Sequence, residues 1–211
     1  MDIESSYDRW SQTYDSMVNP TRDLDLQATQ RVLQDRSFQR VLEVGCGTGK
    51  NSEWLATKCK SLVAVDFSKE MLGIAKKKVL SSNVDWRCLD ITEPWEVGDE
   101  PFDLILFNLV LEHVENLDPI FDEASQRLLP GGIVLVSELH PYKQYLGSKA
   151  RFVQEGAVHE LKVFTHNVSD FFRSAKQQGW TLFELCEWFD STSTEVPRLL
   201  TLMFSNEHNP F

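Results

Sequence analysis

A chain of 211 residues, 42% of them hydrophobic, can bury one sizeable core, and its length favours a single domain over 1–211. Its 21 Lys and Arg against 32 Asp and Glu leave a net charge of −11, too acidic for a generic nucleic-acid binder, whose affinity comes from phosphate neutralisation. No run reaches the ~18 apolar residues of a membrane span, Met1-Asp2-Ile3-Glu4 lacks the basic start of a signal peptide, and Cys46, Cys59, Cys88 and Cys186 show no C-x-x-C pairing, as expected of free thiols in a reducing cytoplasm. The expectation is a cytoplasmic monomer or homodimer with no nucleic-acid or membrane partner.

The elements read in chain order. In residues 1–37, Tyr7, Trp10 and Tyr14 are spaced three and four apart, as on the buried face of an amphipathic helix. A β-branched strand over 40–45 runs into Glu43-Val44-Gly45-Cys46-Gly47-Thr48-Gly49, with a helical stretch from about Lys50. A strand over 61–66 precedes a helix capped by Ser68, with Met71, Leu72, Ala75 and Val79 on one face. Lys76-Lys77-Lys78 at its end complement the helix dipole. Strands over 84–88 and 102–108 follow, then a helix with Asp118 as cap and Pro119 as first residue. Leu128-Leu129-Pro130-Gly131-Gly132 turns into a strand over 132–138. Residues 139–167 are long for a connection and contain two β-prone runs around Gln154-Glu155-Gly156, the pattern of a hairpin. A helix reaching Gln178 ends at Gly179, and two more strands, Thr181 to Phe189 and Leu199 to Phe204, close the chain.

This alternation predicts an α/β, doubly wound, Rossmann-like sheet of seven strands with helices on both faces. The glycine spacing narrows the ligand. A dinucleotide fingerprint needs Gly-x-Gly-x-x-Gly, but from Gly45 and Gly47 the third glycine would fall on Lys50. A phosphate-binding P-loop needs Gly-Lys-Ser/Thr, and Gly49-Lys50 is followed by Asn51. Glu43 also suits a positively charged ligand better than a polyphosphate.

The nine residues Val41 to Gly49 resemble motif I of the class I S-adenosylmethionine-dependent methyltransferases, in their small-molecule branch. The resemblance continues in order through Ala64-Val65-Asp66-Phe67-Ser68, Cys88-Leu89-Asp90-Ile91, Phe102 to Asn108, and the Leu-x-Pro-Gly-Gly turn. It implies that the last strand is antiparallel and inserts between its neighbours. It implies S-adenosyl-L-methionine as cofactor and S-adenosyl-L-homocysteine as product. Gly45, Cys46, Gly47 and Gly49 would approach the ligand's amino-acid end and ribose, with Glu43 orienting the loop. Asp66, 21 positions after Gly45, would take the ribose hydroxyls. Phe67 and Met71 would pack on the adenine, Asp90 and the Ile91 amide would meet its edge, and Asn108 would face the methionine end or the methyl group. Tyr7-Asp8-Arg9-Trp10 with Tyr14-Asp15 is similar to an opening in which an N-terminal helix closes over the cofactor, with Tyr14 beside its methionine part; core packing alone would give the same spacing.

Methyl transfer from a sulfonium rests mostly on positioning and desolvation, with a general base contributing ~10²–10⁴-fold where the nucleophile carries a proton. His113, His140 and His159 are the candidates, and the sequence does not choose among them. Trp10, Tyr142, Tyr145, Phe152 and His159 make the covering segments aromatic, which favours a small aromatic or apolar substrate, while Lys143, Lys149 and Arg151 could instead take an anionic group on it. Nothing supports a metal: the strand ending in Asn108 is followed by Leu109-Val110-Leu111 rather than an acid cluster. A cofactor-binding regulator without turnover is the alternative, and a nicotinamide oxidoreductase is disfavoured by the glycine spacing.

Overall fold

The computed structural model describes residues 3–148, 151–154, 157–190 and 193–206, with Glu4, Ser5, Gln12, residues 151–154 and 157–159, Ser193 and Thr194 described by backbone alone. Two helices, α1 (Ile3–Tyr14) and α2 (Pro20–Leu33), precede β1 (Phe38–Val44). Then come α3 (Ser52–Leu55), β2 (Cys59–Asp66), α4 (Lys69–Lys78), β3 (Val84–Cys88) and β4 (Phe102–Asn108). After a 3₁₀ turn over Leu111–His113 follow α5 (Leu117–Arg127), β5 (Leu128–Leu139) and α6 (Pro141–Tyr145). The chain ends with β6 (Arg151–Gln154), β7 (Ala157–Glu160), α7 (Val168–Gln177), β8 (Thr181–Asp190) and β9 (Ser193–Ser205).

Seven strands form one sheet in the order β3-β2-β1-β4-β5-β9-β8. β1 to β5 pair in parallel, and β9 runs antiparallel between β5 and β8. The central strands are continuous apolar runs because helices cover both of their faces. Leu42, Val44, Ile105, Phe107, Val134 and Val136 point into one core layer, while Val41, Leu104, Leu106, Ile133 and Leu135 point into the other. No helix among the described residues is long and apolar enough to cross a membrane.

Local chemistry explains most element ends. Ser68 Oγ accepts from Met71 N at 3.1 Å and starts α4, and Lys76, Lys77 and Lys78 occupy its last turn. Gly179, at φ 75°, follows α7 in the left-handed conformation that a side chain would resist. Three boundaries differ from the sequence-based expectation. The helix expected from Lys50 is the single turn α3. The cap of α5 is Asn116, which accepts from Asp118 N at 3.1 Å, because the Asp118 carboxylate instead receives Ser174 Oγ of α7 at 2.6 Å. β5 starts at Leu128, ahead of the glycine pair, and its register with β4 slips between Phe102 and Leu104. β6 and β7 form the expected hairpin with Phe152 opposite His159; Lys149 and the turn at Glu155-Gly156 lie outside the described residues.

Candidate active site

The carboxyl ends of β1, β2 and β4 meet at one edge of the sheet, where a doubly wound fold binds its ligand. α1, α2 and α4 border the same edge and enclose a cleft of about 680 Å³, counting its open mouth. Gly45, Cys46, Gly47 and Thr48 form the β1 wall, Asp66, Phe67 and Met71 the β2 wall, and Asn108, Leu109 and Val110 the β4 wall. Tyr7, Tyr14, Arg22 and Asp25 come from the N-terminal helices, and His113 from the 3₁₀ turn.

The glycine loop bends because it can. Gly45, Gly47 and Gly49 all have positive φ. A Cβ on Gly45 would lie 2.6 Å from Val110 Cγ2, so that glycine lets the loop touch the chain beyond β4. A Cβ on Gly47 would meet nothing within 4 Å, leaving its backbone open to the cleft. Gly49 does not line the cleft; a Cβ there would press on Ala75, Val79 and Trp86, so its place is in packing the loop against α4 and β3.

Asp66 ends β2 and clamps two loops at once, accepting from Gly47 N at 2.8 Å and Ser68 N at 2.9 Å. Burial raises its carboxyl to about 6, against the pull of those two bonds. Glu43, buried behind the loop, receives Ser52 Oγ and is pushed up by burial to about 8. Leu109 follows β4 with φ 52°, a conformation unusual for leucine and imposed by its surroundings. Leu109 N donates to Ser137 O, and Val110 N and Leu111 N both donate to Glu138 Oε1. This sharp exit from β4 swings His113 to the cleft.

The three histidines part company here. His113 Nε2 lies 2.7 Å from Tyr7 Oη, and its Nδ1 lies 3.4 Å from Lys162 O. A carbonyl only accepts, so the tautomer assigned from this network carries its proton on Nδ1 and Nε2 accepts from the phenol. Burial lowers His113 to about 4 and raises Tyr7, which keeps both neutral at pH 7. His140 is no part of the cleft: its Nδ1 caps α6 by accepting from Tyr142 N, and its Nε2 bonds Glu187 Oε1 at 3.1 Å. The side chains of His159, Arg151 and Phe152 lie outside the described residues.

Other expected contacts fall elsewhere. Asp90 is exposed and accepts from Thr92 N and Oγ1 within its own turn, while Ile91 is buried in the core; neither lines the cleft. Trp10 packs with Leu161 and does not line the cleft, tying α1 to the chain just past β7. Tyr142 and Tyr145 are 46% and 61% exposed on α6 and also stand apart from it. Sequence reasoning missed Arg22, Asp25, Thr48 and Asn51. Arg22 lays its guanidinium 3.8 Å from the Tyr14 ring centroid, donates to Met17 O at 3.0 Å, and keeps a buried Nε without a partner. Burial raises the Tyr14 phenol to about 12, with Arg22 opposing. A buried cation with donors to spare, an open glycine backbone and a strand-end acid suit a nucleoside carrying an amino-acid group.

Residues 42–136 match the family model described as a methyltransferase domain. The ubiquinone biosynthesis O-methyltransferase of Dechloromonas aromatica (strain RCB) is 30% identical over 170 residues, covering 79% of this chain and 69% of that protein. The chain belongs to the S-adenosylmethionine-dependent methyltransferases. A second curated relative of this methyltransferase, of the same name from Xylella fastidiosa (strain 9a5c), is 34% identical over 151 residues, covering 68% of this chain and 59% of its own. NodS, an N-methyltransferase of Bradyrhizobium japonicum WM9 solved with S-adenosyl-L-homocysteine, has a TM-score of 0.72 at 21% identity, covering 98% of this chain and 99% of that one. At that identity the likeness concerns the fold, including the antiparallel strand inserted beside β5.

Proposed function

We propose that this methyltransferase O-methylates a small hydroxylated, aromatic or apolar molecule held at the Tyr7–His113 end of the cleft. The observation that carries the reading is the 2.7 Å contact between Tyr7 Oη and His113 Nε2 within a cleft walled by the glycine loop and Asp66. The choice of oxygen follows the curated relatives, which are O-methyltransferases by name. When bound, S-adenosylmethionine supplies a methyl group on a positively charged sulfur that leaves readily. The chain's own work is to hold, orient and dry the reactants. Asp66 offers its carboxylate to ribose hydroxyls, Gly47 its backbone, and Phe67 and Met71 their apolar surfaces to the base. Tyr14 and Arg22 close the side formed by α1 and α2.

The proton has a defined route. The substrate hydroxyl would give its proton to Tyr7 Oη as Tyr7 gives its own to His113 Nε2, freeing the oxygen lone pair to displace the sulfur at the methyl carbon, the pair of the broken carbon–sulfur bond staying on sulfur. Both relay partners are neutral beforehand, as burial requires. Because His113 is a weak base, its contribution falls at the low end of general-base effects, ~10²-fold.

The test is transfer of labelled methyl from S-adenosylmethionine to a panel of phenols and catechols, by the wild type, Tyr7→Phe and His113→Gln. Label on oxygen, with turnover lower by ~10²-fold in both variants, is expected. Transfer to amines alone, to no compound, or at full rate in both variants would overturn the reading.

A further inference from the structure

The proton route ends on a poor base. Burial holds His113 at about 4, and a proton left on its Nε2 puts a positive charge in a buried site. The residue before it has no part in the route so far. Glu112, buried on the same 3₁₀ turn, places Oε1 3.9 Å from His113 Nε2, within ion-pair range. Its Oε2 receives Gln144 Nε2 of α6 at 3.2 Å. The turn is clamped from outside as well. Phe164 N donates to Glu112 O at 2.7 Å, and His166 Nε2 donates to Leu111 O at 3.1 Å and Val114 O at 2.8 Å. α6 and the chain between β7 and α7 thus hold the carboxyl beside the imidazole. The titratable groups facing Glu112 are His113 on its own turn, Tyr7 on α1 and Glu138 on β5. Burial keeps Tyr7 and Glu138 neutral at pH 7, and among the described residues no lysine or arginine pairs with Glu112. Burial also raises Glu112 itself to about 7, with the Gln144 bond opposing.

We propose that the Glu112 carboxylate is the counter-charge of the relay, stabilising the His113 imidazolium that forms when Tyr7 passes on its proton. The proposal rests on the proton route above and goes beyond it by naming the group that lets a buried His113 accept. The charges balance. The substrate hydroxyl's proton goes to Tyr7 Oη, the phenol's own proton to His113 Nε2, and the methyl group to the substrate oxygen. Across the step one positive charge leaves the sulfonium and one appears on the imidazole, 3.9 Å from a carboxylate that was already negative. An opposite charge within ~4–6 Å shifts a titration by ~1–3 pH units toward the charged form. Glu112 does not line the cleft and acts only through His113, as a positioning residue for the proton. Its ionised form alone can do this, so turnover should rise as Glu112 loses its proton and level off above.

The experiment measures kcat for labelled methyl transfer to the phenol that the wild type methylates fastest, from pH 6 to pH 9. The proteins are the full-length wild type, Glu112→Gln, His113→Gln and the double variant. The ratio of wild type to Glu112→Gln should climb from about twofold at pH 6 to about tenfold at pH 8. The ratio is read because Asp66 and Glu43 titrate over the same range in both proteins. S-adenosylhomocysteine should bind Glu112→Gln within about twofold of the wild type, which a distorted turn would not allow. In the His113→Gln background the same change should cost no more than about twofold at any pH, because no imidazolium forms. If Glu112→Gln does not fold, Gln144→Leu decides: losing the bond that holds the carboxyl down should move the rise in turnover to higher pH. A ratio that does not vary with pH, or an equal loss in both backgrounds, overturns the counter-charge and leaves the proton route standing. Full turnover by His113→Gln, or no phenol methylated at all, overturns the route and the role of Glu112 with it.

Discussion

Replacing Glu43 by glutamine should change how the fold responds to pH. Glu43 is 2% exposed near the end of β1, and its Oε2 receives Ser52 Oγ. Burial moves its carboxyl from an ordinary 4.5 to about 8, helped by the Asp25 and Asp66 charges and opposed by the Ser52 bond. The unfolded chain releases this proton at the ordinary value, the folded chain only near the raised one. Between the two the unfolded state binds fewer protons, so stability falls as pH rises and levels off above the folded value. Each pH unit inside that window costs about 1.4 kcal/mol. From pH 6 to pH 9 the wild type should therefore lose roughly 3 kcal/mol through this group. Glu43→Gln keeps the shape and the acceptor for Ser52 but never ionises. Glu112 at about 7 titrates in both proteins and drops out of the difference, while Asp66, at about 6 and ionised over most of this range, loses only its repulsion with Glu43 in the variant. Urea unfolding at pH 6, 7, 8 and 9 should show the variant gaining roughly 3 kcal/mol on the wild type across the range. A difference that stays constant with pH would refute a buried, proton-holding Glu43.

The two cleft glycines should fail in different ways. Gly45→Ala combines a φ of 76° with a 2.6 Å approach to Val110, and thermal unfolding should show a loss of about 2–4 kcal/mol. Gly47→Ala meets no neighbour and should cost only about 1 kcal/mol, yet it should abolish S-adenosylhomocysteine binding by filling the open side of the loop; full affinity would mean the ligand does not pass there. His140→Ala should lower stability by about 1 kcal/mol through loss of the α6 cap while leaving turnover within about twofold. A large fall in turnover would return His140 to the catalytic group.

Much of the cleft could be read from the chain alone because its parts lie at strand ends. Gly45, Gly47, Asp66, Phe67, Met71 and Asn108 sit within or just past apolar runs whose direction and order follow from local patterning, and parallel strands bring such ends to one edge. Asp90 shows the limit of that rule, since β3 lies at the sheet's far edge and its loop turns back on Thr92. The contribution of α2 was overlooked although a signal existed. Arg22, Asp25 and Thr29 recur at three and four residues, on the same buried face as Ala28 and Leu33. Polar residues at the spacing of a buried face mark a helix lying against a polar site.

The order of strands and helices, the glycine loop and the strand-end acid were determined by the sequence, because each depends on a few consecutive residues and their preferred backbone. Which histidine meets the cleft was decided only in three dimensions. His113 and His140 both follow central strands, but a left-handed Leu109, held by Ser137 and Glu138, turns the first toward Tyr7 of α1. The second is drawn outward by Glu187 of β8. The partners that orient these rings lie 106 and 47 positions away in the chain. Contacts of that range arise from packing of the whole sheet, which no local preference encodes.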